Sequence, residues 1–499
     1  MTEIITIITS KPDWKTKINK PAIVNNWKQE LQQQGVSNTV LERVIELLKN
    51  STESNEYEQE DTYEWHLEIG APPAELWKGC TNYECANGCE CMICAGEEHL
   101  AESLENYEED DEEYREAQKQ LKKFSKIKCK CQNKWVDDYL NFLRSYIHHE
   151  VKVVKSGLKR RFIDHVNDFE SRKAEKDYHP GSNDQMLDII HPALYCYVKG
   201  VTPVTNGGEE LVEKSSLFQW IPAEFSVIRD PSTNEPTRTE IRSYINNLDR
   251  NDPRNADLYQ DISEIFTDMV PGFEKVLNTL KEKDRINALK DTEKPAEIKL
   301  GDCQVIVKIA SAQVNQDKPV FDEGSWHLEG VESEKIIATG IYYYDMKNVE
   351  KTNLRFRTTL GGDIYNLNYP QNCHEFVRLH YGLNLKYIDG MDGADTAIKL
   401  GRIPTKENLC LFFPNFLQHR VSKLELSPGA TEGHRSILVF FLVNPFEKVI
   451  STAHIPTPQQ QLISTGDAKL YRELLMFERK YEYSEQNNFH QRGISLCEH

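Results

Sequence analysis

The period of the hydrophobic pattern changes near residue 300. Before it, apolar residues recur at helical spacing. Val24, Trp27, Leu31, Val40, Val44 and Leu47 follow that spacing within residues 22–50 and predict helix. Residues 135–165 read the same way and end in Lys159, Arg160 and Arg161. A basic cluster suits the carboxyl end of a helix dipole. Between 178 and 200 two His-Pro pairs mark turns around a short helix. The longest stripe lies in 256–280, where Leu258, Ile262, Ile265, Phe266, Met269, Phe273, Val276, Leu277 and Leu280 share one face. Pro271 within it predicts a kink.

After residue 300 the runs become short and rich in Val, Ile, Phe and Tyr. CQVIVKIASAQV, KIIATGIYYYD, NLCLFFP and SILVFFLVNP are separated by turn-rich or charged stretches. That is an antiparallel β pattern. The expected fold class is α+β: a C-terminal double-stranded β-helix, a cupin-like jelly roll, joined to an α-helical N-terminal region. At 499 residues the chain is too long for one ordinary core. The expected divisions are a helical segment at 1–60, a Cys-rich and acidic insert at 61–135 and a mainly helical region at 136–300. The β core follows at 301–455, and a C-terminal helix and tail at 456–499, with the helix near 467–480.

Charge and composition narrow the function. The net charge of −19 argues against general binding to nucleic acid or acidic membranes. No uninterrupted apolar run reaches the roughly 18 residues of a membrane span. The opening MTEIITIITSKPDW has no basic leader before its apolar patch, so a cytoplasmic or nuclear protein is expected. In such a compartment the twelve cysteines read as free thiols or metal ligands rather than disulfides. Five lie between Cys80 and Cys94, and CMIC, with Cys91 and Cys94, is a good half-site for structural zinc. Cys129 and Cys131 of CKC would be the other half, and reduced free cysteines are the alternative. The acidic run Glu108 to Glu113 reads as a solvated face.

The sharpest local signal is Ser325-Trp326-His327-Leu328-Glu329. Residues two apart on a strand share a face, so the imidazole and the carboxylate can reach one metal. His419, in FFPNFLQHRV, is the candidate second imidazole. Two His and one carboxylate fill one face of an octahedron and leave the rest open, the arrangement of non-haem Fe(II) oxygenases. Arg435 stands sixteen residues after His419 at the head of a β run. Its guanidinium could grip the distal carboxylate of 2-oxoglutarate with two parallel hydrogen bonds. His374, His380 and His434 read as structural or solvent-facing. One or two of Tyr342, Tyr343 and Tyr344 could line the site, although packing explains them as well. Asn246 and Asn247 could contact substrate, and an ordinary turn accounts for them equally.

The segment HRVSKLELSPGATEGHRSILVFFLVNP, from His419 to Pro445, resembles the distal half of the Fe(II)/2-oxoglutarate-dependent dioxygenases. The resemblance implies iron held by His327, Glu329 and His419, with 2-oxoglutarate on Arg435. Three features depart from the common pattern. The carboxylate is Glu329 where many members have Asp. Ile437 stands where an Arg-x-Ser motif would place its serine. The interval from His419 to Arg435 is long, which implies an enlarged hairpin. A wider likeness covers about residues 178–455. YHPGS, DIIHPALY, FQWIPAEF, SYINNL, GSWHLEG, ATGIYYYD, FPNFLQHRV and HRSILVFFLV resemble, in order, the family known as domain of unknown function 4246.

The function expected from this is oxidation of an unidentified substrate, with a small molecule, a lipid or a protein all open. The rival is a non-catalytic cupin-like binding or structural protein. A further rival is another metal on the same ligands, Zn2+ in a hydrolase or Mn2+ in an oxidase. Arg435 favours a keto-acid co-substrate, which those reactions do not need.

Overall fold

A computed structural model describes residues 14–33, 141–205, 207–212, 217–282, 297–350, 352–359, 384–388, 391–395, 397–455, 457–490 and 493–495, with isolated positions before residue 50. Nine strands matter to the site. They are β1 (His148–Val151), β2 (Met186–Ile190), β3 (Ala223–Arg229), β4 (Pro236–Ile241), β5 (Asp302–Asn315), β6 (Ile336–Lys347), β7 (Leu409–Pro414), β8 (Gln418–Val421) and β9 (Glu432–Val443). Four helices accompany them: α1 (Pro21–Gln33), α2 (Ser156–Ser171), α3 (Ala256–Glu282) and α4 (Thr465–His490).

The β-rich runs after residue 300 build a curled antiparallel sheet. Its order is β1-β7-β6-β9-β5-β3-β4, and β2 pairs with β5 as well. The fold is therefore a mixture of α and β, as the pattern predicts. Long apolar strands need cover on both faces, because each alternate side chain would otherwise meet water. On the outer face Phe412, Gly340 and Phe440 stand in one cross-strand row. The buried stripe of α3 covers them. Phe273 meets Phe412 edge-on at 5.3 Å and Phe266 meets Phe440 at 5.1 Å. Gly340 is required there. A Cβ on it would lie 2.5 Å from the Phe273 ring, so glycine marks the closest approach of helix and sheet. Gly340→Ala is expected to destabilise the fold by about 1–3 kcal/mol through overpacking, read as a lowered urea midpoint with unchanged slope.

The inner face carries the alternate residues. Arg435 pairs with Ala312, Ile437 with Ala310, Val439 with Lys308 and Phe441 with Ile306. On β6 the same face holds Tyr343, Ile341 and Thr339. Tyr342 and Tyr344 point the other way, and Tyr344 packs edge-on to Phe162 of α2 at 5.0 Å. A three-stranded patch of Val320–Phe321, Leu424–Leu426 and Val349–Glu350 lies off the main sheet. Leu424–Leu426 occupies part of the long interval between His419 and Arg435.

Several helical expectations need correction. Residues 148–151 form β1 rather than helix, paired with β7. The basic cluster opens α2 instead of closing a helix. Ion pairs across the fold hold it there: Lys159 binds Glu407, and Arg161 lies 2.5 Å from Asp261 and 2.9 Å from Glu264. Turns follow both His-Pro pairs as expected, but the stretch between them is β2 rather than a short helix, because it pairs with β5. Residues 136–300 thus supply four strands of the main sheet as well as two helices. α3 runs through Pro271 without a break. α1 accounts for the first part of the helix expected at 22–50, with Val24, Trp27 and Leu31 buried.

Contacts divide the chain into two compact units. One comprises Met1–Thr62, Ile147–Arg355 and Arg402–Glu485, and it contains every group of the site below. The other comprises Tyr63–Tyr146, Phe356–Gly401 and Gln486–His499, and includes a small sheet of Asn384–Ile388, Met391–Asp395 and Gly493–Ser495. Among the described residues no helix is long and apolar enough to cross a membrane.

Candidate metal centre

His327 and His419 are direct cross-strand partners. Each donates its backbone N–H to the other's carbonyl at 3.1 Å, an isolated antiparallel bridge. Their rings lie 4.4 Å apart between centroids. Two residues on, Glu329 returns to the same side. Its Oε1 is 3.1 Å from His419 Nε2 and 3.8 Å from His327 Nε2. One ligand atom from each of the three lies within 4.8 Å of the others.

Neighbouring groups fix this geometry. His327 Nδ1 is 2.9 Å from the Ser325 carbonyl, which can only accept. The proton therefore sits on Nδ1, leaving a lone pair on Nε2, the arrangement a metal ligand needs. Asn415 holds Glu329 by two reciprocal bonds. It accepts the Glu329 N–H at 2.9 Å and donates to the Glu329 carbonyl at 2.8 Å. Phe413 packs edge-on to His419 at 4.8 Å and ties the group to the inner face of β7. On the reverse side of the bridge, Arg420 lies over the Trp326 ring at 4.6 Å. Arg420 Nε is 3.1 Å from Glu323, which also pairs with Arg355 at 3.0 Å.

Burial and mutual contact set the charges. Burial alone would push the Glu329 carboxyl up, but the two imidazoles hold it well below its usual range, so it is ionised. Burial lowers His419. It also works against the charged form of His327, but the Glu329 contact outweighs it and raises that group. The result is a desolvated anion facing two imidazoles, a donor set suited to a divalent cation.

Arg435 lies on the inner face and is 3% exposed. Burial depresses its proton affinity. Its Nη1 lies 3.3 Å from the Thr352 hydroxyl, which itself contacts Thr405. Its Nε has no hydrogen-bond partner, and among the described residues no carboxylate pairs with the guanidinium. A buried charge left without a counter-ion is costly. The surroundings fit an anionic ligand that the described residues do not supply. Tyr343 is the tyrosine on this face, two positions from Arg435 along the sheet. Ser436 turns outward to Ser311 at 2.9 Å, so neither it nor Ile437 supplies the serine of an Arg-x-Ser motif.

The remaining candidates divide clearly. Asn246 donates to the Pro192 and Leu194 carbonyls at 3.2 and 3.1 Å, and Asn247 has a φ of 65°, so SYINNL is a structural turn. His434 pairs with Asp345 at 2.8 Å on the outer face. Cys91, Cys94, Cys129, Cys131, His374 and His380 lie outside the described residues. Sequence reasoning missed Asn415, although its place between Pro414 and the His419 strand was a signal. It also missed a second group, His179, Asp188 and His191, whose ligand atoms again lie within 4.8 Å of one another. The two His-Pro pairs contain both histidines, but their spacing suggested turns rather than a site.

Comparison with known proteins gives structural and family matches. Three solved structures align over much of their own length. An IDO from Bacillus thuringiensis shares 11% identity over 56% of this chain and 94% of that one, with a TM-score of 0.21. A selenomethionine-labelled Fe(II)/α-ketoglutarate-dependent dioxygenase, TqaL, shares 14% over 61% and 91%, with a TM-score of 0.21. The non-haem α-ketoglutarate-dependent epimerase SnoN, from nogalamycin biosynthesis, shares 11% over 61% and 84%, with a TM-score of 0.22. No curated protein matches the chain. A family profile, protein of unknown function DUF4246, matches residues 138–300 and 295–466, about two thirds of the length. With that extent and the motifs in order, the chain belongs to the DUF4246 family.

Proposed function

We propose that this protein is a non-haem Fe(II)- and 2-oxoglutarate-dependent oxygenase on a double-stranded β-helix. One observation carries the reading. Two imidazoles and a carboxylate from separate segments converge within 4.8 Å, and the buried guanidinium of Arg435, on the inner face of β9, has no carboxylate partner among the described residues. His327, Glu329 and His419 would hold the iron, and Arg435 the distal carboxylate of the co-substrate. Iron(II) with 2-oxoglutarate and O2 supplies an oxidant able to take a hydrogen atom from a C–H bond, with succinate and CO2 as co-products.

The chain's own residues do the rest. The Ser325 carbonyl keeps the His327 proton on Nδ1. Asn415 fixes the backbone of Glu329. Thr352 orients the Arg435 fork. Phe413, Ile341 and Val439 line the inner face with apolar surface, which excludes water and strengthens each charged contact. A non-catalytic cupin-like protein, or a zinc hydrolase on the same ligands, has no use for the unpaired guanidinium.

The test uses purified protein with Fe(II). Anaerobic addition of 2-oxoglutarate is expected to give a visible charge-transfer band. Admission of O2 should then give slow succinate formation without any added substrate. Absence of both the band and the succinate defeats the proposal.

A further inference from the structure

We infer that Lys308, beside the His179–Asp188–His191 group, is a substrate-recognition subsite for a carboxylate. The inference rests on the oxygenase reading and adds a substrate class to it.

Register puts these residues together. Lys308 pairs with Val439 and so shares the inner face with Arg435, Tyr343 and Ile437. Asp188 pairs with Ala310 on that same face. The register then shifts, Ile190 pairs with Ile309, and His191 is the next residue after β2. The His191 ring meets Trp220 edge-on at 6.1 Å, and Trp220 lies 5.5 Å from Phe441, the inner-face neighbour of Val439. Register therefore places Lys308 on the inner face beside the second group.

The charge balance leaves Lys308 available. Asp188 is fully buried, yet its counter-charges are local. Its Oδ2 receives the His179 Nδ1 proton at 2.9 Å and lies 3.8 Å from Arg472, which pairs with Asp177 at 2.7 Å. Lys308 forms no ion pair with a carboxylate among the described residues. A half-buried cation without its own anion suits an anionic ligand.

A second metal ion fits this group poorly. His191 Nδ1 accepts the Ala193 N–H at 3.1 Å, which leaves the ring proton on Nε2. The ring then offers a donor and not a lone pair. Lys308 and Arg472 add two positive charges that would repel a metal. Lys308 offers an ammonium and His191 a neutral N–H donor, a pair suited to a carboxylate.

The two cations have separate tasks. Arg435 and Val439 are four residues apart on β9, about 13 Å at the usual rise. Lys308, opposite Val439, therefore stands well along the face from the co-substrate anchor. A carboxylate held at Lys308 would fix the distance from the substrate's anion to the carbon presented at the iron.

The test is calorimetric titration of the Fe(II)–2-oxoglutarate protein under anaerobic conditions. The probes are hexanoate, phenylacetate, indole-3-acetate and N-acetylleucine, each with its primary amide, and hexyl and phenyl phosphate. At least one acid is expected to bind about tenfold or more tightly than its amide. Lys308→Met should bring that ratio near one, whereas Lys308→Arg should keep most of it. The assignment is overturned if no acid exceeds its amide, including the case in which neither binds. It is overturned equally if the ratio survives Lys308→Met or if the phosphates bind best. A loss of 2-oxoglutarate affinity in Lys308→Met as large as in Arg435→Ala would move Lys308 to the co-substrate and also overturn it. Binding is read without turnover, so failure of the oxygenase reading shows separately as absent succinate in the unaltered protein.

Discussion

His327→Ala and His419→Ala are each expected to abolish iron-dependent succinate formation and to weaken Fe(II) binding by more than about a hundredfold. The figure has a physical basis. Removing only a hydrogen-bond partner of a metal ligand typically lowers affinity by about 10–100-fold, so loss of the ligand itself must exceed that. Each imidazole would be one of three donors, and Glu329 lies within 4 Å of both rings. Asn415→Ala supplies the graded comparison. It leaves all three donors in place but frees the backbone of Glu329, so about a tenfold loss of iron affinity is expected. Equilibrium dialysis of Fe(II) measures all three variants, with circular dichroism to confirm folding. Full iron affinity in either histidine variant would remove the metal centre from the account.

Arg435→Ala is expected to raise the dissociation constant of 2-oxoglutarate by on the order of a hundredfold while leaving iron binding nearly intact. A hydrogen bond to a charged group contributes about 1.5–3 kcal/mol, and a fork makes two. A loss near 3 kcal/mol corresponds to roughly that factor. Arg435→Lys should recover part of the loss, because a point charge remains but the fork geometry does not. Anaerobic titration of 2-oxoglutarate into the Fe(II) protein measures both variants. Unchanged affinity in Arg435→Ala would mean that the buried guanidinium serves another purpose, such as holding Thr352 and its contact with Thr405.

These two experiments address residues legible in the sequence for different reasons. His327 and Glu329 are readable because strand side chains alternate with period two. His419 and Arg435 are readable from a β run, a His-Arg-Val and a second β run. Pairing across strands is not readable in this way. Nothing local in FFPNFLQHRV says that His419 will stand opposite His327, and that partnership brings the two rings within 4.4 Å. Asn415 shows the same limit. Its role depends on a reciprocal contact with a residue 86 positions away.

The strands in 148–241 were hidden for a related reason. The stretch at 135–165 has enough helical periodicity to read as one helix, yet β1 exists because β7 offers it an edge. β2, between the two His-Pro turns, is a strand rather than a short helix because β5 pairs with it. The helix dipole, a local effect, predicts a helix end at the basic cluster Lys159 to Arg161. Ion pairs to Glu407, Asp261 and Glu264, each far along the chain, account for its place instead.

Local periodicity by itself therefore determined the mixed α and β character, the long helix at Ala256–Glu282 and the four principal strands, because burial of one face repeats at a fixed spacing. It also determined which residue types were available for metal and carboxylate chemistry. Tertiary structure alone decided which strands are neighbours and which tyrosine faces inward. It also decided that Lys308 and Asp188 share the face of Arg435. Those outcomes depend on sheet register, and register is fixed by contacts between segments that lie far apart along the chain.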